Sequence, residues 1–366
     1  MVADSLPIYP LYALLFVDTG LSTAQVSALF AIWSTVSIVA EVPTGALADR
    51  FSRRSALVAY GLLQATGFAV WITLPGFAGF AVGFLLWGFG GSLANGAFEA
   101  LLYDGLAAAG AEEQYARVNG WVTAAGLVTQ VPAAVAATLL FAAGGYALAG
   151  WVSVGLCLVA AAVATRLPEP PRSTSDDADR GYRATLRAGL TEATTDRGVR
   201  VALLAVATLT ALDAMEEYFG LVAYGWGVPA VLVPLAIIAI PLAGAAGAAL
   251  GGAAARLAPR TLGLVLLLAL GLVAAAGLAA HPAGLVAVTV FYGLYRMVLV
   301  VVDARLQEQI TGPARATVTS VAGLGTDLAA MVFYAAWALG ELVLVTALWV
   351  LVALALPRWL RAGVRA

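Results

Sequence analysis

Eleven stretches of about 20 or more mostly apolar residues follow one another along the chain, and that succession limits its fold more than any other feature. A helix needs roughly 20 apolar residues to cross a bilayer core of about 30 Å. The stretches run at about 22–48, 55–75, 77–104, 115–143, 145–166, 199–225, 228–256, 261–280, 283–309, 314–340 and 341–360. Ala and Gly recur within them, and Gly247 and Gly251 have the small-xxx-small spacing that suits close helix contact. Of the residues, 62% are hydrophobic and 11% charged, which is more apolar surface than a soluble globule of this size can hide. A water-soluble enzyme, a secreted disulfide scaffold and a disordered chain are thereby excluded. Cys157 stands alone, so no disulfide forms within the chain. A net charge of -2 gives no reason to expect a nucleic-acid partner.

The N-terminal stretch from Leu6 to Val17 is apolar but rises only about 18 Å as a helix. No basic residue precedes it, and Pro7 and Pro10 interrupt it, so it does not read as a signal peptide. It is expected to be a twelfth helix whose beginning is missing or irregular. The arginines set the sides. Arg50, Arg53, Arg54, Arg117, Arg256, Arg260, Arg305 and Arg315 fall at loops of one parity, as do the clusters at 166–200 and 358–365. The opposite loops contain none, and the positive-inside rule assigns the Arg face to the cytoplasm of a cell-membrane protein. A hydrophilic linker over 167–198 divides the chain into 1–166 and 199–366, each expected to hold six helices.

The two parts repeat. Glu99-Ala100 and Asp104 correspond to Asp303-Ala304 and Glu308, 204 residues on; Arg50 corresponds to Arg256, and Tyr12 to Tyr218, both at 206. Ala116-Arg117 matches Ala314-Arg315 at 198. Matches in the same order on equivalent helices indicate duplication. The expected fold is therefore all-α and membrane-integral, with twelve transmembrane helices in two pseudo-symmetric six-helix bundles. Paired parallel halves are a transporter plan with the substrate site near the midplane.

The first arginine-bearing loop reads Gly45-Ala46-Leu47-Ala48-Asp49-Arg50-Phe51-Ser52-Arg53-Arg54. It resembles the loop 2–3 signature of the major facilitator superfamily, with Ser52 in place of the usual second glycine. That resemblance implies a cytoplasmic gate at Gly45, Asp49, Arg50, Arg53 and Arg54. Asp49 is expected near the N-terminus of the eleventh helix, where an anion gains roughly 0.3–1 kcal/mol. Asp104, Arg117, Glu308 and Arg315 are expected to complete a charge network. Ala255 stands where Asp49 would be in the second half, so the gate is asymmetric. The fifth helix has Gln130-Val131-Pro132-Ala133-Ala134 rather than the Gly-Pro run common in drug–proton antiporters of that family.

Charges at membrane depth are costly and usually serve function. The seventh helix carries Asp213, Glu216 and Glu217 near its middle, on a stripe with Thr210, Gly220 and Tyr224. Three acids so close repel one another when ionised, so one is expected to keep a proton near neutral pH, as proton coupling requires. The tenth carries Tyr292, Arg296, Asp303 and Gln307. Arg296 is the arginine far from the cytoplasmic face, and it is expected to pair with an acid of the seventh helix. In the family that the loop resembles, helices one, four, seven and ten line the central cavity.

Further candidates are Ser92, Asn95, Glu99 and Tyr103 on the fourth helix, Thr123, Gly126 and Gln130 on the fifth, Ser320, Gly323 and Asp327 on the eleventh, and Glu41. Trp33, Trp87 and Trp337 are candidate cavity aromatics, with packing as the plainer reading. No His/Cys cluster suggests a metal. A chain without lysine has no Walker loop. No cofactor is expected, and the partners expected are a small-molecule substrate, protons and the bilayer, with the chain acting as a monomer. These features point to a proton-coupled secondary transporter that works by alternating access and exports a small organic solute, drug-like or amphiphilic. Proton-driven uptake and a transport-inactive membrane sensor are the alternatives.

Overall fold

The computed structural model describes residues 6–50, 52–95, 97–168, 197–309 and 315–362; for 41–50, 116, 123, 127, 309, 315–320 and 362 it describes the backbone alone. The described residues form helices and turns, with no strand among them. The first helix, Tyr12–Asp18, is short; the second span is Thr23–Arg50 and the third Arg53–Thr73. The fourth comes in two pieces, Phe77–Ala94 and Ala97–Ala108. The fifth and sixth share Tyr115–Ala164, which breaks at Gly144 and Gly145. The seventh is composite: Arg197–Thr210 is α-helical, Ala211–Tyr218 is 3-10 and Phe219–Gly225 is α-helical again. A 3-10 turn of helix at Ala230–Leu232 and a short α-helix at Val233–Ile237 precede the main part of the eighth, Ala239–Ala254. The ninth is Pro259–Ala279 and the tenth Gly284–Gln309. The eleventh and twelfth share Arg315–Ala362, which breaks at Glu341.

Among the described residues, 9 helices are long and apolar enough to cross a membrane, and two of these, Glu112–Ala164 and Val321–Arg361, hold two spans each. With the short first helix the segments number twelve, in the expected order. At the first break Gly145 takes φ 61° and ψ -156°, a region that glycine alone enters cheaply. At the second, Glu341 takes φ 47° and ψ -140° without that freedom.

Two compact units are present, Met1–Arg172 with Val228–Ile238, and Ser173–Gly227 with Ala239–Ala366. In lipid no hydrophobic gain draws helices together, so shape fit, ring contacts and polar bonds hold them. The first unit is built on rings. Tyr12 lies 5.5 Å from Trp71 and 6.1 Å from Trp87, and Phe16 lies 4.3 Å from Phe80. The Trp71 indole donates to the Phe80 carbonyl at 3.0 Å. Residues 6–11 form turns rather than helix, because Pro7 and Pro10 have no amide to donate. The buried Ile8 amide is satisfied by Ser153 Oγ at 3.0 Å.

The second unit is built on close backbone approach. A Cβ on Gly247 would lie 1.9 Å from the Gly293 carbonyl oxygen, and one on Gly251 2.4 Å from Val300. The small-residue face of the eighth span thus lets it seat directly on the tenth, and Gly244 extends that face one turn earlier. The eleventh and twelfth spans pack on the seventh and ninth. Trp349 of the twelfth donates its indole N–H to the Thr208 carbonyl at 2.8 Å.

Candidate functional site

The second unit gathers the charges of the seventh and tenth spans into one cluster. Arg296 Nη1 donates to Asp213 Oδ2 at 2.8 Å, with 33% and 29% of the two side chains exposed. The Tyr292 hydroxyl is in donor contact with Asp213 Oδ1 at 2.9 Å and with Glu216 Oε1. Tyr292 and Arg296 are one turn apart on the tenth span, so both reach the same carboxylate from one face. Tyr295 is fully buried, and its hydroxyl lies beside Asp213 without a hydrogen bond of ordinary geometry.

The winding of the seventh span decides which acids meet. In a 3-10 helix side chains three residues apart eclipse, and runs beyond three or four residues are uncommon. Here the run has 8 residues, Ala211–Tyr218. Asp213 therefore stands directly in line with Glu216, and one hydroxyl touches both. The expectation of a single α-helical stripe of three acids is corrected on this point, because Glu217 is turned about 120° from Asp213 by three-residue winding. The ring of Tyr292 is seated against the eighth span, where a Cβ on Gly244 would fall 2.5 Å from it and 3.3 Å from the Arg296 stem.

The other candidates are placed separately. Asp303 is exposed two turns along from Arg296 and is hydrogen-bonded to Gln307. Asp327 is half-buried on the eleventh span. In the first unit Glu99 and Asn95 are exposed, Asn95 at the break of the fourth span, and Gln130 is half-buried. Ser92 turns inward to donate to the Gly88 carbonyl at 3.1 Å. Trp87 stacks on the half-buried Trp33 at 5.2 Å, and Trp337 stacks on Tyr218 at 4.1 Å in the packed core. The side chains of Glu41, Thr123 and Ser320 lie outside the described residues.

At the arginine loop, Ser52 is extended (φ -172°) and its Oγ accepts the Ser55 amide at 3.0 Å. The departure from glycine thus supplies an N-cap for the third span. Arg53 Nη1 pairs with Asp104 Oδ2, and Arg54 Nη1 donates to the Leu167 carbonyl at 3.4 Å. The Arg117 guanidinium sits 4.7 Å over the Trp121 ring, and Glu308 is exposed. The side chains of Asp49, Arg50 and Arg315, and the surroundings of Gly45, lie outside the described residues. Tyr295, Gly244 and Trp349 were missed by sequence reasoning. Tyr295 and Gly244 had a signal, three residues from Tyr292 and from Gly247; Trp349 had none.

The fold is shared with solved transporters. A D-xylose–proton symporter superposes with TM-score 0.74 at 14% identity, over 98% of this chain and 94% of that one. The nucleoside transporter NupG gives 0.75 at 13%, over 100% and 96%. A peptide transporter POT in complex with sulfate gives 0.71 at 14%, over 99% and 93%. Among curated proteins none matches the sequence significantly. A family model described as Major Facilitator Superfamily matches residues 2–340, and the chain belongs to that superfamily of multi-pass membrane transporters.

Proposed function

We propose that the chain moves a small organic solute by alternating access and couples that movement to protons at Asp213, Glu216, Tyr292 and Arg296. A count of hydrogens carries the reading. The Tyr292 hydroxyl has one proton but is in hydrogen-bond contact with two carboxyl groups. With that proton donated to Asp213, which also holds Arg296, the Glu216 contact needs a proton on Glu216 that is donated back to the phenol oxygen. The four side chains are then neutral in sum, and loss of the Glu216 proton leaves one net negative charge.

A cationic amphiphile is favoured by the deprotonated cluster and disfavoured by the protonated one. Two ligands that exclude each other at one site exchange across the membrane, which is antiport. In this reading the bundles 1–166 and 199–366 rock about the linker 167–198, with the arginine face cytoplasmic and the solute exported. The gate residues are Gly45, Asp49, Arg50, Arg53, Arg54, Asp104, Arg117, Glu308 and Arg315. Asp303, Glu99, Asn95, Asp327, Gln130 and Glu217 contribute to the solute path, and the working unit is a monomer. Uptake with protons is the second reading, favoured by the proton symporter among the fold neighbours.

Proteoliposomes with an imposed pH gradient of either sign, and ethidium as the probe, test the proposal. Ethidium moving against the proton gradient, and not in Asp213→Asn, supports antiport. Movement along the proton gradient supports the uptake reading. Flux indifferent to the gradient overturns proton coupling, and absence of flux for a whole panel of solutes leaves the sensor alternative.

A further inference from the structure

We propose that Trp349 is a positioning residue whose indole N–H sets the winding of residues 211–218, and so decides which glutamate stands beside Asp213. The proposal rests on the coupling cluster just described. In α winding the Thr208 carbonyl accepts the amide four residues on, that of Leu212. The seventh span leaves α winding after Thr210 and becomes 3-10 from Ala211. Where amides begin to reach back three residues instead of four, a carbonyl at the junction loses its amide.

Trp349 Nε1 donates to the Thr208 carbonyl at 2.8 Å. The indole is buried, and its ring is braced against Phe333 at 5.3 Å. Indole N–H is a donor only, so the bond has one direction. At the far end of the 3-10 run, Tyr218 is fully buried and stacked on Trp337. A change of winding is therefore absorbed between these two anchors, within the acid-bearing stretch.

A carbonyl at membrane depth without water must find a donor inside the protein. With the indole removed, the α-helical partner of that carbonyl is the Leu212 amide, and taking it extends the α-helix. The consequence is angular. At about 120° per residue Glu216 eclipses Asp213 and Glu217 stands 120° away. At about 100° per residue Glu216 falls roughly 60° short of alignment, and Glu217 lies roughly 40° past it. Glu217 then replaces Glu216 as the closer partner of Asp213 and Tyr292.

The test needs no transported solute. Infrared spectra of the full chain in lipid vesicles, taken as differences between pH values, show the carbonyl band of a protonated carboxyl group. In the wild-type background we expect Glu216→Gln to remove that band and Glu217→Gln to leave it. In Trp349→Phe, which keeps a ring against Phe333 and deletes the donor, the two assignments exchange. Trp349→His, which restores a ring N–H, returns the band to Glu216. A band still lost through Glu216→Gln in Trp349→Phe overturns the proposal. A wild-type band indifferent to Glu216→Gln overturns the coupling-site reading instead. If Trp349→Phe yields no folded protein, Trp349→Met also lacks the donor and carries the same comparison.

Discussion

The first unit meets its N-terminal segment with rings, whereas the second meets the corresponding segment with charges. Tyr12 and Tyr218 are equivalent in the repeat, and both are buried among aromatics. Around them the chemistry diverges. At the same offsets, Pro7 and Pro10 correspond to Asp213 and Glu216, while Gly88 and Ser92 correspond to Tyr292 and Arg296. The loops after the second and eighth spans differ likewise. In the first unit the loop supplies Arg53 to Asp104 of the fourth span; in the second, Arg305 of the tenth donates to the Ala255 and Leu257 carbonyls at 3.3 and 2.8 Å. One helical plan thus serves a close-packed aromatic half and a half that carries the cluster of Asp213, Glu216, Tyr292 and Arg296. The first interior has no room for such a cluster, because Trp71, Phe80 and Phe84 fill it and are fully buried.

The strongest break of this comparison is Arg296→Leu. It leaves Asp213 without its cation, and proton-driven flux in proteoliposomes should fall by about 100-fold, or ~2.7 kcal/mol. Ser92→Ala at the counterpart should change flux by less than about twofold, as expected of a substitution away from a charged network. Removing a hydroxyl sharpens the contrast. Tyr292→Phe should lower proton-driven flux roughly 10-fold, since it removes a bond to a charged group worth ~1.5 kcal/mol. The buried Tyr12 hydroxyl has no hydrogen-bond partner, so Tyr12→Phe should leave flux unchanged and hold or raise thermal stability.

The loop pair predicts a smaller effect, of opposite sign in the two halves. Gly145→Ala should destabilise by about 1–1.5 kcal/mol, and Glu341→Gly should stabilise by a similar amount, in thermal unfolding of the purified protein. Least of all, Ser52→Ala should cost ~0.5–1 kcal/mol through the lost cap, and Ser52→Gly a few tenths.

The spans were legible because lipid demands long apolar runs, and even the tight turn at Gly144-Gly145 stands out within an otherwise continuous apolar stretch. The contact between Arg296 and Asp213 was legible because a lone arginine at depth needs a carboxylate at its own depth. The line-up of Asp213 with Glu216 was not, since hydrophobic periodicity is read at 3.6 residues per turn and carries no sign of a 3-10 run. Ser52 was visible as a replacement of the usual glycine, and its capping bond appears only when the extended φ is known. The bracing of the Thr208 carbonyl depends on Trp349, 141 residues away, a separation no local pattern encodes.

In the proposed coupling the proton exchanged for solute is the one on Glu216. Solute counterflow and pH-driven accumulation, measured side by side in proteoliposomes with Glu216→Gln, test it most directly. Accumulation against a gradient should be lost, whereas counterflow, which moves no net proton, should persist with a weakened affinity for a cationic solute. Accumulation equal to that of the wild type would contradict it.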